Sequence, residues 1–206
     1  MIKIDLQTWN RKSLYEHFIK FTDPYFGVTV PIDVTKTYQI SKKNDVSLFG
    51  LYLHACMKAI NEVEAFKLRI VDNEPVQFET IHASPTIARK DKTFGFSFIE
   101  FSPELEVFLA NLQGEKDRIE NSEELFPPVN GLDCVHCSAL PWLPFSGHKE
   151  PASGFMDSIP KLAFNGVETV GANKIQMNVA INVNHALVDG YHVHLFCKKF
   201  QHYLDS

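Results

Sequence analysis

The sequence predicts an α/β fold of the α+β type, in which helices pack on a mixed β-sheet. The chain of 206 residues is 45% apolar and contains 17 phenylalanines, which is enough material for a sizeable core. Segments with strand-like patterns are interleaved with segments that have helical spacing of apolar residues. No repeat, low-complexity run or linker divides the chain, so we expect one domain over residues 1–206.

Four segments place apolar residues at helical spacing, namely Ser13 to Phe21, Ser47 to Val63, Pro103 to Glu120 and Tyr191 to Leu204. Ser13 and Glu16 fit a capping box at the start of the first helix. The third helix is amphipathic with a charged face, and Pro103 suits its first turn. The last helix places its apolar residues on one side, namely Val193, Phe196, Phe200 and Leu204.

Five segments are rich in β-forming residues, namely Gly27 to Val34, Lys67 to Phe78, Thr93 to Phe101, Cys134 to Leu140 and Lys174 to Val183. The second of them is expected to form two strands around a turn at Asp72 and Asn73. Leu143 to Ile159 (LPFSGHKEPASGFMDSI) is predicted to be a long loop. These strands and the four helices supply the elements of the predicted sheet and its cover.

Composition excludes several classes of protein. The net charge of −5 and the lack of a basic stripe argue against nucleic-acid binding. No segment approaches the roughly 20 apolar residues of a membrane span, and the polar N-terminus does not resemble a secretory signal. Four cysteines in a chain of this length do not form a disulfide framework, so a reducing cytoplasm is the expected location.

Two groups of residues have the spacing of metal ligands. Cys134 and Cys137 form a CxxC pattern, but no second cluster completes a zinc site, and residues three apart in a strand face opposite sides. Buried structural thiols are therefore the better interpretation. His192 and His194 are two apart on a predicted helix and do not share a face, so we expect them to be exposed or partly buried. No metal is predicted.

The segment Asn182 to Phe196 (NVNHALVDGYHVHLF) contains the most informative candidate residues, His185 and Asp189. The sequence lacks the GxSxG, Walker and GxGxxG motifs, so the common hydrolase and nucleotide-binding sites are absent. A histidine at the end of a strand is more often structural than catalytic, and Asp-Gly can form a simple turn before a helix. From these residues alone, the role of His185 stays open.

Four motifs, in order along the chain, resemble one family. They are Trp9-Asn10-Arg11 (W-x-R), Leu125-Phe126-Pro127 (LFP), Ser138-Ala139-Leu140-Pro141-Trp142 (SALPW) and the HxxxDG pattern within NHALVDGYHV from Asn184 to Val193. The chain thereby resembles the chloramphenicol acetyltransferases, which are coenzyme-A-dependent acyltransferases, over nearly its whole length. The family usually has two adjacent histidines where this chain has Asn184 and His185. The related dihydrolipoyl acyltransferase cores usually carry DHRxxDG, which this chain lacks.

The resemblance implies direct acetyl transfer from acetyl-CoA to an acceptor hydroxyl. It assigns His185 as the general base and the Ser138 hydroxyl as the donor to the oxyanion; a structural serine in a proline-containing turn is the alternative for Ser138. By the same resemblance, Asp189 pairs with Arg11 and holds the shape of the site, and it is not the third member of a catalytic triad. The resemblance also implies that the histidine's tautomer is fixed largely by its own backbone carbonyl.

The resemblance further implies a homotrimer whose sites lie in tunnels between subunits. The histidine would come from one subunit and much of the acceptor pocket from its neighbour. Phe18, Phe94 and Phe126 match aromatic residues that line the acceptor pocket, although each could equally belong to the core of this phenylalanine-rich chain.

Two segments depart from the family pattern. After Trp142, the stretch Ser146 to Pro151 (SGHKEP) is polar where the family has apolar residues lining the chloramphenicol pocket, and Ala163 replaces a threonine. The leading hypothesis is O-acetylation of chloramphenicol. The alternatives are acetylation of another small alcohol or thiol, and a non-catalytic trimeric binding protein. The presence of both His185 and Ser138 argues against the last alternative.

Overall fold

The computed structural model describes residues 1–151 and 157–206. In chain order, its elements are β1 (Ile2–Lys3), α1 (Lys12–Phe18), β2 (Tyr25–Asp33), α2 (Thr35–Asn44), α3 (Leu48–Asn61), a 3₁₀ turn (Glu64–Lys67), β3 (Leu68–Val71), β4 (Glu74–Gln77), β5 (His82–Ala88), β6 (Phe94–Phe96), α4 (Leu105–Glu120), β7 (Cys134–Leu140), β8 (Lys161–Asn165), β9 (Glu168–Val170), β10 (Lys174–Asn184) and α5 (Gly190–Leu204).

The central layer is a mixed sheet with the strand order β2-β10-β8-β7-β5-β6, in which β9 also pairs with β10. β7 runs parallel to both β5 and β8, whereas β10 is antiparallel to β8 and β2. A second, smaller sheet has the order β1-β4-β3. The predicted class, a mixed sheet with helices packed on it, is confirmed.

Helices α3 and α5 pack together in the core, as their apolar patterns predict. Ser47 caps α3 by accepting a hydrogen bond from the backbone N–H of Gly50. The four apolar residues predicted for one side of α5 are all buried. Phe196 of α5 stacks on Phe66, with ring centroids 5.0 Å apart. These contacts fix the start of α5, which directly follows His185 and Asp189.

Two predicted helix starts are wrong. α1 begins at Lys12, and its N-cap residue is Arg11, so Ser13 and Glu16 do not form a capping box. Among the described residues, no side chain caps the helix, and the Arg11 side chain instead pairs with Asp189 far along the chain. α1 also ends at Phe18 rather than Phe21.

The start of α4 also differs from the prediction. Pro103 lies before the helix, which begins at Leu105. The side chain of Ser102 hydrogen bonds to both the carboxylate and the backbone N–H of Glu104, so these residues form a turn ahead of the first helical residue.

Several elements were not predicted, and each lacks a clear apolar period. The inward side of α2 contains Thr37 and Ser41, whose hydroxyls donate to backbone carbonyls of Leu204 and Val46. Strand β5 contains a proline, and β1, β8 and β9 are short. Of the predicted strand Thr93 to Phe101, only β6 forms.

The predicted loop after Leu143 has no helix or strand in residues 143–151 and 157–159; the rest of that prediction, residues 152–156, lies outside the described residues. No described helix combines the length and the apolar character that crossing a membrane requires.

Candidate active site

His185 lies immediately after β10, and two aromatic rings hold its imidazole. Its backbone N–H donates to the carbonyl of Pro24 at 2.9 Å, which ties the residue to the start of β2. Phe18 of α1 stacks on the imidazole with a centroid distance of 4.1 Å and an interplanar angle of 10°. Phe26 contacts the imidazole at 4.6 Å in a tilted arrangement. Phe18, which the resemblance predicts to line the acceptor pocket, thus lies directly against the imidazole of His185.

The predicted hydrogen bond from His185 to its own carbonyl is absent. Nδ1 of His185 is buried and has no hydrogen-bond partner within residues 1–151 and 157–206. The His185 carbonyl instead accepts a long hydrogen bond of 3.5 Å from Nη2 of Arg11. Ring stacking and backbone contacts therefore position this imidazole.

Asp189 joins three parts of the site. Its carboxylate accepts a charged hydrogen bond from Arg11, which is almost fully buried. Its other oxygen accepts from the backbone N–H of Tyr191 at 3.1 Å and so caps α5. Nδ1 of His192 accepts in turn from the Asp189 N–H, which completes a capping box. The structure thus brings Arg11 and Asp189 together as predicted, and among the described residues the Asp189 carboxylate pairs with Arg11, the Tyr191 N–H and His192 rather than with the His185 ring.

The charge of Asp189 contributes to stability in a pH-dependent way. Burial alone raises the pKa of this carboxyl, but the hydrogen bond from Arg11 and the charges of His192 and Arg11 lower it below the ordinary 3.8. A depressed carboxyl pKa stabilises the folded state above the unfolded-state pKa. This contribution is lost as the pH falls through the lower folded-state value.

Asp189→Asn is expected to lower the free energy of unfolding by about 1 to 3 kcal/mol, between the values of exposed and buried ion pairs. Asparagine is also a good N-cap residue, so the substitution mainly removes the charge. Thermal unfolding at pH 7 and at pH 3 measures the effect, which should be smaller at the lower pH. A large loss of activity with unchanged unfolding would instead assign Asp189 a direct part in the chemistry.

Ser138 lines a cavity of about 1060 Å³. Aromatic side chains form much of its wall, including Phe94, Phe96 and Phe126. Phe96 stacks on Phe126 with centroids 5.3 Å apart and meets Phe94 edge-on at 5.6 Å. Phe94 is 46% exposed and Phe126 is 55% exposed, so this wall is open to the outside of the chain. Two of the three predicted pocket phenylalanines, Phe94 and Phe126, therefore lie with Ser138, whereas Phe18 lies against His185.

The register of β7 with β8 defines the neighbours of Ser138 in the sheet. Ser138 is level with Ala163 of β8, which is the position predicted to replace a family threonine. His136 lies two residues earlier on β7, so its side chain shares a face with Ser138, and both line the cavity. Burial, and then the charge of Lys161, lower the pKa of His136 below 6.5, which keeps its imidazole neutral at neutral pH.

His185 and Ser138 are far apart within one chain. Strand register places Ser138 level with Ala163 and Ala180, two strands away on β10. His185 lies five residues beyond Ala180, so strand geometry separates it from Ser138 by roughly 15 to 20 Å. His185 is also not among the residues that line the cavity. One chain therefore does not bring these two predicted catalytic residues together.

A buried polar network lies between the His185 segment and the cavity. Lys161, which lines the cavity, forms an ion pair with Asp157, and both side chains are at most 5% exposed. The Tyr25 hydroxyl donates within this network and lies 2.9 Å from Asp157 and 2.8 Å from the carbonyl of Ile159. The side-chain amide of Asn184 donates to the Asp157 carbonyl at 2.8 Å.

Lys161 and His136 were not predicted as site residues. Lys161 stands alone in an apolar stretch, and no pattern indicates its partner. His136 could have been predicted from the sequence. It lies two residues before Ser138 on a predicted strand, so both side chains point to the same face of the sheet.

The cysteines of β7 and the histidines of α5 are buried to the extent that the sequence predicts. Cys134 and Cys137 are free thiols and are buried, as predicted. His192 is partly buried and His194 is exposed, which is also confirmed. Within the described part of the chain, no three histidine, cysteine or carboxylate side chains group as metal ligands would.

Comparisons with known proteins agree on one family. A family model described as chloramphenicol acetyltransferase matches residues 1–201. A chloramphenicol acetyltransferase of Bacillus pumilus is 26% identical over 188 residues, covering 90% of this chain and 86% of the relative. Chloramphenicol acetyltransferase 2 of Haemophilus influenzae is 24% identical over 212 residues, covering 99% and 97%.

Solved structures show the same fold. A structure described as chloramphenicol acetyltransferase superposes with a TM-score of 0.89 at 23% identity and covers 98% of both chains. A probable dihydrolipoamide acetyltransferase from Listeria monocytogenes has a TM-score of 0.68 at 12% identity, covering 100% of this chain and 94% of that one.

Proposed function

The chain belongs to the chloramphenicol acetyltransferase family, and we propose that it transfers the acetyl group of acetyl-CoA to a hydroxyl of chloramphenicol. The observation that supports this function best is the position of Ser138, from the SALPW motif, in the wall of a large aromatic cavity. Its volume of about 1060 Å³ is at the upper end for a single small-molecule site, which suits two substrates that meet at Ser138.

In the proposed reaction, His185 acts as the general base and Ser138 stabilises the oxyanion. Nε2 of His185 takes the proton of the acceptor hydroxyl while that oxygen bonds to the acetyl carbonyl carbon. The carbonyl oxygen becomes an oxyanion and accepts a hydrogen bond from Ser138. The C–S bond then breaks, and the proton on the imidazole passes to the departing thiolate of coenzyme A. Stacking on Phe18 fixes the direction of the imidazole, and Arg11 with Asp189 holds the surrounding backbone.

We propose that each active site forms between two copies of the chain within a homotrimer. His185 of one copy would face Ser138 of its neighbour, because the two residues lie too far apart within one copy. The open aromatic wall of the cavity supports this arrangement, since Phe126 and Trp142 are 55% and 68% exposed in the isolated chain. Burial of such residues between subunits is favourable.

A complementation experiment tests the reaction and the shared site together. His185→Ala and Ser138→Ala should each abolish most chloramphenicol-dependent release of coenzyme A. When both variants assemble randomly in one oligomer, roughly a quarter of the sites combine an intact His185 with an intact Ser138. Roughly a quarter of the wild-type activity should therefore return.

The matched control mixes His185→Ala with a variant that carries both substitutions, which leaves no intact histidine in any site. This mixture should stay inactive. If verified mixed oligomers of the two single variants also stayed inactive, each site would lie within one copy and the proposal would be wrong.

The proposed reaction belongs in the cytoplasm, and the state of the cysteines supports this location. All four are free, as a reducing compartment keeps them. Acetylation of chloramphenicol there would give its host resistance to the antibiotic.

A further inference from the structure

Charged side chains line part of the aromatic cavity. Its lining includes one carboxylate, Glu150, and three lysines, of which Lys92 is exposed, Lys116 lies over the ring of Phe49 and Lys161 is buried. Glu150 belongs to the polar stretch after Trp142 that departs from the family pattern. A pocket for a neutral, mostly apolar acceptor needs few polar groups, and a buried charge is costly without a partner. These charges therefore require a structural or functional explanation.

Lys161 already has a structural partner. Its ammonium donates to the carboxylate of Asp157 and to the carbonyl of Pro151, and it lies 4.8 Å from the centroid of the Tyr25 ring. Two hydrogen bonds and the contact with a ring face occupy most of the binding capacity of an ammonium group. Asp157 also offsets its charge, so Lys161 has little capacity left for a ligand.

Glu150 does not have such a partner. Its side chain is only 17% exposed, and its one ion-pair neighbour within the described residues is the imidazole of His148, whose Nδ1 lies 3.7 Å from the carboxylate. This distance exceeds that of a hydrogen bond. Within the described ranges, no protein group donates a hydrogen bond to the Glu150 carboxylate, so its oxygens can accept hydrogen bonds from a ligand. A ligand that donates hydrogen bonds and carries a positive charge would satisfy it.

We infer that the acceptor end of the cavity selects hydroxylated molecules that carry an ammonium group, with Glu150 as the residue that binds it. This inference rests on the proposed function, because it names the acceptor class of the same site. The body of such an amino alcohol packs against the aromatic wall of Phe94, Phe96 and Phe126. Paired with Glu150, the ammonium keeps its proton and has no lone pair, so the acetyl group goes to the hydroxyl.

Two matched acceptors test the inference. Chloramphenicol is neutral, whereas the parent amine, 2-amino-1-(4-nitrophenyl)propane-1,3-diol, has the same ring and hydroxyls but an ammonium in place of the amide. Wild-type protein should acetylate the amine with the higher kcat/KM. Glu150→Gln keeps the size of the side chain but removes its charge, and should lower the ratio of kcat/KM for the amine to that for chloramphenicol by about tenfold or more. The ratio should fall because KM for the amine rises in Glu150→Gln.

Glu106→Gln serves as the matched control, since Glu106 is exposed on α4 and does not line the cavity. It should keep the wild-type ratio. An unchanged ratio in Glu150→Gln, or wild-type preference for chloramphenicol, would overturn the inference and leave the proposed acetyl transfer intact. If neither acceptor were acetylated, the proposed function would fail. Calorimetric binding of the amine would then decide the inference, because Glu150→Gln should weaken this binding and an unweakened Kd would refute it.

Discussion

His185→Ala is expected to lower kcat for acetyl transfer by about 10² to 10⁴, the usual contribution of a positioned general base. Without the imidazole, no group takes the hydroxyl proton as the oxygen attacks, and none returns a proton to the thiolate. Binding of acetyl-CoA should change little, so KM for acetyl-CoA should stay near its wild-type value. Steady-state kinetics with chloramphenicol as the acceptor measures the effect.

The control for this substitution is His194→Ala, because His194 is exposed on α5 and lies outside the site. Since His185 stacks on Phe18, thermal unfolding must show that the His185→Ala protein is folded. A folded His185→Ala variant with near wild-type kcat would remove His185 from the mechanism. His136, the neutral histidine on the face of Ser138, would then become the candidate base.

Ser138→Ala is expected to lower kcat by about 10² to 10³, as for the loss of one oxyanion donor. The hydroxyl contributes only as charge develops on the carbonyl oxygen, so kcat and kcat/KM should fall together. Alanine fits the strand position without strain because β7 is extended there. Kinetic comparison with Ser13→Ala, an exposed serine on α1, controls for the loss of a hydroxyl as such.

A fall in stability without a fall in kcat would instead support the structural interpretation of Ser138. In that case its hydroxyl would only stabilise the turn that leads to Trp142.

The sequence is informative where burial follows a simple period. Strand β7 and helices α3 and α5 present regular apolar positions, and their predicted bounds agree with the structure to within two residues. Helix α2 was missed because its buried face carries the polar residues Thr37 and Ser41 instead of an apolar stripe. The Thr37 hydroxyl donates to the carbonyl of Leu204, which is 167 residues away, and no local pattern reports such a contact.

For the site, the motifs identify the residue types but not their arrangement. The pairing of Arg11 with Asp189 was expected from the resemblance, and the structure brings these residues together. The separation of His185 from Ser138 follows from strand order and register, which local patterns do not define. The unused carboxylate of Glu150 is likewise visible only once its neighbours are known.

The most direct measurement of the central claim is release of the free thiol of coenzyme A from acetyl-CoA by wild-type protein, with and without chloramphenicol. We expect release that depends on chloramphenicol and yields its O-acetyl ester in equal amount. Absence of release with chloramphenicol would contradict the proposed function. Absence of release with other alcohol and thiol acceptors as well would indicate a binding protein that retains the fold without the reaction.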